Sequence, residues 1–449
     1  MNDTQADEAA AHARLIEDNL VLTCEAGRLY RDGGFAGDAA LLERLRERVS
    51  PLTEVVGTVF PGFPAHDPEP PRLFGGSAAF REKQGAALAA PRPPGPPTLL
   101  CETRDVRLAG NALFHVADGR PQVLFETYRP QERHVVPGPG PGFLHVDETI
   151  AEAGLIFLLN SAGSFNYGHW LIDDLPRLHA LALLRKRHPR VPITVALVSY
   201  FPHIDAARRR SIQLLLRDRV SIRFLDRDKT YRFARLHHAT PCSLPSTGKS
   251  PHALRYLTGQ VRARTRLPRG LFALRTLTGR GRRLFVDRHP GRGRGLANRD
   301  AVLGLLRGLG FEAFDPELTS VRQQVVRFSA AEIVVGIAGA GMTNTVFCRP
   351  GTPVIHLVPR AGRTGSTARS PPPAARIMRR CSAPGLCRTH PNIFGISRST
   401  PSPCKRPSRL PVCVEILGSQ RGHSFGGVSG QRPDLPPLGF IAGDAAFGR

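Results

Sequence analysis

Ile333-Val334-Val335-Gly336-Ile337-Ala338-Gly339-Ala340-Gly341-Met342-Thr343-Asn344 passes from an apolar strand into a turn built of glycine and alanine. Small residues at such a turn let the backbone come close to a ligand. The helix that follows points its first N–H groups outward, and the two features together make an anion site suited to a diphosphate. Glycine also serves close strand-to-helix packing, so the turn alone leaves both uses open.

The alternation of strand and helix continues on both sides of this turn. Before it, a strand at Leu284-Phe285-Val286-Asp287 leads to a helix at 299–309, a strand at 311–314 and a helix at 318–330; after it comes a strand at 354–358. An earlier series starts at Leu155-Ile156-Phe157-Leu158-Leu159, an apolar run of the kind a buried parallel strand needs. It runs through helices at 167–187, 205–217 and 251–266 and strands at 193–198, 220–225 and 233–239. Two successive series predict an α/β protein with two Rossmann-like domains, the groove between them being the expected ligand site. Residues 99–125 read as strands with a hairpin at Asp118-Gly119. Residues 51–97, dense in Pro and Gly, read as a linker or extended arm.

The expected divisions are a helical and Pro/Gly-rich segment over 1–97, with a helix-like stretch at Leu41, Leu42 and Leu45, and an α/β domain over 98–268. A second Rossmann-like domain spans 269–360, and a low-complexity, irregular tail spans 361–449. The tail carries 12 Pro and 10 Ser with no sustained period. A shift of reading frame near residue 361 is one explanation for the break in pattern.

A chain of 449 residues with 41% hydrophobic content is long enough for two cores. No apolar run reaches 18 residues, and the acidic start Met1-Asn2-Asp3-Thr4-Gln5-Ala6-Asp7-Glu8 lacks the pattern of a signal peptide. The expectation is a cytoplasmic protein. The net charge of +25 is almost entirely arginine: only Lys83, Lys186, Lys229, Lys249 and Lys405 are lysines. That bias fits a GC-rich coding sequence as well as it fits a binding surface. Peripheral contact with an anionic membrane is compatible with it; an Arg-rich nucleic-acid-binding protein is the weaker alternative. The eight cysteines (24, 101, 242, 348, 381, 387, 404 and 413) show neither Cys-x-x-Cys nor zinc-finger spacing and read as free thiols.

His169, Asp173 and Arg177 recur every four residues, which on a helix places them along one face. A carboxylate one turn from an imidazole fixes its tautomer and suits it to act as a general base. Pro176 should kink or restart that helix. The alternative is a charge ladder over inward-packed Trp170, Leu171 and Leu175. Asp287-Arg288-His289 ends a strand before the loop Gly291-Arg292-Gly293-Arg294-Gly295, where arginines could meet a leaving phosphate or simply be solvated. Asp226-Arg227-Asp228 has an Asp-x-Asp form, but Arg223 and Lys229 flank it and oppose a dication; it reads as a surface turn.

Asn166-Tyr167-Gly168-His169-Trp170-Leu171-Ile172-Asp173-Asp174-Leu175-Pro176-Arg177-Leu178 resembles a characteristic block of glycosyltransferase family 61, the capsular polysaccharide biosynthesis type included. Arg288, Asn298 and Gln324, with Gly336, Gly339, Ala340, Gly341, Thr343 and Asn344, resemble its second block. The likeness spans about residues 100–360. It implies a GT-B-like fold, inverting transfer from a nucleotide-sugar donor to a glycan acceptor, and no cofactor or obligatory metal. His169 and Asp173 would be catalytic, with Asn166, Tyr167, Trp170 and Arg177 on the acceptor side. Arg288, Asn298, Gln324, Gly339, Ala340, Gly341, Thr343 and Asn344 would bind the donor. Two positions depart from the pattern: Ala338 stands in place of a His and His356 in place of an acidic residue. They open the alternative of a member that binds sugar nucleotide without turnover.

Overall fold

The computed structural model describes residues 3–24, 45, 48–68, 71–74, 78–128, 139–151, 153–161, 163–216, 220–244, 248–265, 282–288, 296, 298–357 and 376–380. The helix-like stretch at Leu41 and Leu42, the arginine loop 291–295 and the tail beyond 360, apart from 376–380, lie outside the described residues. The chain divides into two compact units, Met1–His66 with Arg92–Arg266 and Asp67–Pro91 with Leu267–Arg449. Both are α/β, and both are built on mixed sheets.

In the first unit four strands run parallel: Thr230–Ala239, Leu155–Leu158, Ile193–Val198 and Ser221–Leu225, paired in that order. Parallel neighbours need a crossover. The helical segment from Tyr167 to Arg187 supplies one and the helix Pro202–Leu216 the next. Leu155–Leu158 is buried along its whole length, as a strand covered on both faces must be. Its Ile156 and Leu158 pack with Ala196, Val198, Phe233 and Leu236.

An antiparallel meander of Thr98–Ala109, Ala112–Ala117 and Arg120–Leu124 extends this sheet beyond Thr230–Ala239. The hairpin expected at Asp118-Gly119 forms, both residues taking positive φ, 50° and 70°. That pair of conformations matches the right-handed twist of the flanking strands. The helix Asp3–Asp18, which the sequence pattern did not reveal, closes one side through Ile16, and the chain after it packs Leu20 and Leu22 on Phe114 and Phe125.

Residues 51–97 are not a linker. The strand Thr53–Phe60 pairs antiparallel with Thr98–Ala109, and the strand Arg72–Phe74 and helix Ala78–Ala89 belong to the second unit. The Pro/Gly average of the segment hid a local run, Thr53-Glu54-Val55-Val56-Gly57-Thr58-Val59-Phe60, whose β-branched residues favour a strand.

The second unit orders Phe311–Phe314, Arg282–Val286, Ala331–Ile337 and Pro353–Leu357 side by side, all parallel. Arg376–Arg380 and Arg72–Phe74 extend it antiparallel to six strands, where four were expected. Phe285, Val335, Ile337, Ile355 and Leu357 form its core with Val302, Leu303 and Leu306 of the helix Arg299–Gly308. The chain leaves Arg282–Val286 toward one neighbour and later returns to the other. The order therefore reverses between Arg282–Val286 and Ala331–Ile337, the place where open α/β sheets bind ligands at their carboxyl ends.

Three histidines are buried in the first sheet: His115, His237 and His238. Burial first, then the nearby Arg177 and the two other imidazoles, hold His238 down at about 3, and Thr103 Oγ1 lies 2.9 Å from its Nε2. Between that value and the ordinary histidine value of about 6.5, the unfolded chain binds a proton that the folded chain refuses. The stabilising effect is complete above the ordinary value and drains away as pH falls toward 3. Urea unfolding should show stability falling between pH 6.5 and pH 4. In His238→Gln this slope should be shallower by up to about 1.4 kcal/mol per pH unit.

Candidate functional site

Directly after the strand Leu155–Leu158 the chain turns into the segment that carries His169. Asn166 caps it: in extended conformation, its Oδ1 accepts the Gly168 N–H at 2.8 Å. One α-turn, Tyr167–His169, gives way to a π-helical turn, Trp170–Asp174, and a 3₁₀ turn, Leu175–His179, before the α-helix Ala180–Arg187. Pro176 accounts for this sequence of turns. It has no N–H for the Ile172 carbonyl, and its ring crowds that carbonyl, so the backbone ahead of it widens and Leu175 N–H reaches back to Trp170 O. Cys242 Sγ lies 3.7 Å from the freed Ile172 carbonyl and donates to that of Asp173 at 3.1 Å.

The widened turn brings His169 and Asp173 together, with His169 Nδ1 2.8 Å from Asp173 Oδ2. The carboxylate is buried and the imidazole is partly exposed. Two further donors converge on Asp173. Lys249 Nζ stands 2.9 and 3.1 Å from its two oxygens, and Ser243 Oγ donates to Oδ1 at 2.5 Å. Burial alone would push this carboxyl upward. Lys249, His169 and Ser243 outweigh that effect and hold it well below the ordinary carboxylate range. Asp173 is therefore ionised, with Nδ1–H of His169 directed at it and Nε2 as the ring nitrogen turned away. Gly163 also lies against His169: a Cβ there would come within 2.7 Å of His169 Cγ.

The face expected from the four-residue spacing stops at Asp173. Arg177 does not join it: its guanidinium is buried, donating to Asp174 Oδ1 at 2.5 Å, Asn160 O at 2.8 Å and Ala239 O at 2.8 Å. Ser164 Oγ also donates to Asp174, at 2.7 Å. Trp170 is fully buried, its Nε1 donating to Ser211 Oγ at 2.9 Å and its ring 4.9 Å beneath the Arg208 guanidinium. Trp170 and Arg177 thus fix the segment to the sheet, whereas Asn166, Tyr167 and His169 keep partial exposure.

In the second unit the residues after two strands meet at the reversal point. Gly339 lies so close to Arg288 that a Cβ there would stand 3.0 Å from Nη1. Asp287 holds Arg299 through two hydrogen bonds, at 2.5 and 3.2 Å. Asn298 sits at the N-terminus of the helix Arg299–Gly308, and its Oδ1 has no hydrogen-bond partner among the described residues. Ala338 N–H donates to Leu357 O at 2.8 Å.

The helix after the glycine turn is a 3₁₀ helix, Ala340–Phe347. Thr343 and Asn344 are wholly buried in it. Asn344 Nδ2 donates to Gln324 Oε1 at 2.7 Å and to Gly341 O at 3.1 Å, while Gln324 Nε2 donates to Pro316 O at 2.8 Å. Gln324 and Asn344 therefore brace the turn from below. Gly336 and Gly341 are packing glycines: a Cβ at Gly336 would meet Met342 Sδ at 2.2 Å and Val286 Cβ at 2.8 Å, and one at Gly341 would meet Pro316 Cγ at 3.1 Å.

Asp226-Arg227-Asp228 is an exposed turn closed by Asp228 N–H on Asp226 Oδ1 at 3.0 Å. Among the described residues no group of three or more His, Cys, Asp or Glu could hold a metal ion, and no helix is long and apolar enough to cross a membrane. Cys24, Cys101, Cys242 and Cys348 are buried and not in disulfides. Sequence reasoning missed Lys249, Ser243 and Gly163. The only available signal was that Lys249 is one of five lysines among 62 basic residues.

Residues 167–355 match the family model described as Glycosyltransferase 61, and this part of the chain is a glycosyltransferase family 61 domain. No curated protein matched the chain. The match takes in both sequence blocks and gives the activity class, glycosyl transfer, which uses a donor and an acceptor.

Two substitutions probe these two glycine contacts. Gly163→Ala, whose Cβ would press on His169 Cγ and Cβ at 2.7 and 2.8 Å, should displace the His169 segment and lower stability by about 1–3 kcal/mol in urea titration. Gly336→Ala lowers stability by about 1–3 kcal/mol in urea titration, because Val286 and Met342 are packed against it.

Proposed function

We propose that the protein is an inverting glycosyltransferase that moves a sugar from a nucleotide-sugar donor to a glycan or polysaccharide acceptor, as in assembly of a cell-surface polysaccharide. The observation that carries this reading is the 2.8 Å contact between His169 Nδ1 and the buried Asp173 carboxylate at the carboxyl end of a parallel strand. In this reading His169 Nε2 takes the proton of the acceptor hydroxyl. The hydroxyl oxygen bonds to the anomeric carbon from the face opposite the nucleotide. The bond from that carbon to the phosphate oxygen breaks, and its electron pair leaves with the diphosphate.

The division of labour proposed is that of a GT-B enzyme. The first unit supplies the base, and the second holds the nucleotide. Arg288 offers cationic donors to the leaving diphosphate, and the bare backbone of Gly339, Ala340 and Gly341 allows its close approach. Asn298 offers a side-chain amide at the N-terminus of the helix Arg299–Gly308. Asn166 and Tyr167 would meet the acceptor. Trp170, Arg177, Gln324 and Asn344 serve by holding these groups in place; Thr343 is buried, its Oγ1 without a hydrogen-bond partner among the described residues. The family resemblance carries the further expectation that no metal is needed. The proposed setting is the cytoplasmic face of a membrane, where exposed arginines such as Arg209 and Arg210 suit anionic lipid.

His169→Ala should lower kcat by roughly 10²–10⁴-fold with donor affinity retained, and Asp173→Asn should follow it to a lesser extent. Circular dichroism must accompany the second variant, because it strands the Lys249 cation in a buried site. Undiminished turnover in both variants would remove the pair from the mechanism. Calorimetric titration with UDP-, GDP- and CMP-sugars should give binding to one class that weakens in Arg288→Ala. Transfer should persist in excess EDTA, and a rate that recovers only on adding a divalent cation would overturn the metal-independent scheme.

A further inference from the structure

Lys249 is nearly inaccessible to solvent, at 7% exposure, on a short hairpin formed by Ser243–Leu244 and Gly248–Lys249. A lysine held there needs a reason, since burying an ammonium costs several kcal/mol. Its partner is Asp173: the ammonium spans both carboxylate oxygens and stands 3.3 Å from Ser243 Oγ. Ser243 Oγ in turn donates to Asp173. The three rotatable donors of an ammonium suit two carboxylate oxygens and a hydroxyl, in a chain whose basic residues are mostly arginine.

The consequence lies in the charge count. Asp173 and His169 alone would form a pair of net charge −1, which a proton on His169 neutralises. With Lys249 present, the cluster is neutral while His169 is neutral, and a proton on His169 makes a partly buried cluster of charge +1. Among the described residues, the other groups near it are Cys242, whose Sγ donates to Asp173 O and whose thiol burial and Asp173 hold up at about 12, and the Asp174–Arg177 pair, whose charges offset each other. Ser243 adds a dipole and no charge.

We propose that Lys249 is a positioning residue for the transfer step: paired with both oxygens of Asp173, it offsets the carboxylate charge that faces His169 Nδ1, so that the imidazole presents Nε2 to the acceptor hydroxyl and gives up the proton it takes. Lys249 also limits how long His169 keeps the proton it accepts. An imidazolium beside a fully offset carboxylate gives up its proton to solvent sooner than one beside an unopposed carboxylate. The proposal rests on His169 being the base.

The test uses the full chain with Lys249→Met, Lys249→Gln and Lys249→Arg. Gln keeps a donor toward Asp173 and guards against loss of fold in the Met variant. His169 is titrated by ¹H–¹⁵N correlation NMR, independently of turnover, and kcat is measured from pH 5 to pH 9. In the neutral variants the His169 midpoint and the acid limb of kcat should move upward together by about one pH unit. In Lys249→Arg both should stay near wild type, even if the rate falls. A merely structural lysine would lower kcat by one factor at every pH and leave the His169 midpoint unmoved, and either result overturns the proposal. The role of His169 as base is judged separately, by the rate of His169→Ala.

Discussion

The Asp173 carboxylate is the group on which the candidate site depends. It is buried, yet it is held ionised by Lys249, His169 and Ser243, which together outweigh the cost of its desolvation. Removing one partner from such a cluster costs about 3–5 kcal/mol, because the remaining charge is left uncompensated. The carboxylate therefore does two things at once. It ties the hairpin bearing Ser243 and Lys249 to the segment 167–187, and it fixes which nitrogen of His169 carries the proton.

That arrangement depends in turn on Pro176. In a regular α-helix His169, Asp173 and Arg177 would form a continuous ladder, and the central carboxylate would be divided between an imidazole and a guanidinium. The π turn ahead of the proline breaks the ladder. Arg177 is diverted to Asp174 and the backbone at the ends of two strands, Asn160 and Ala239, where it anchors the segment to the sheet. Asp173 is thereby left to Lys249. Two adjacent aspartates thus serve separate purposes, one closing a structural network and one facing the imidazole.

The second unit relies on close packing more than on charge. Its turn at 338–341 comes close to the tip of Arg288, which a Cβ at Gly339 would stand 3.0 Å from, and it sits low on the sheet because Gly336 leaves room for Met342 and Val286. Gln324 and Asn344 hold the turn through one side-chain hydrogen bond and three bonds to backbone carbonyls. Gln324 and Asn344, which look like ligand contacts in a motif, are here buried braces of a loop.

The sequence by itself determined the family, the hairpin at Asp118-Gly119 and, apart from the short hairpin Ser243–Leu244 and Gly248–Lys249, the order of the main strands and helices from residue 153 to 357. These rest on local periodicity, on turn chemistry and on two long motifs, all of which act between residues close in the chain. It also paired His169 with Asp173, since four residues on a helix are neighbours. It misjudged Thr53–Phe60, where a composition average masked a strand that forms by pairing with Thr98–Ala109. Only the tertiary structure decided that Arg177 and Trp170 turn inward, and that Lys249, 76 positions after Asp173, completes the cluster. Those contacts come from strands crossing between distant segments and from the desolvation of charges at their ends, and neither leaves a mark on local sequence.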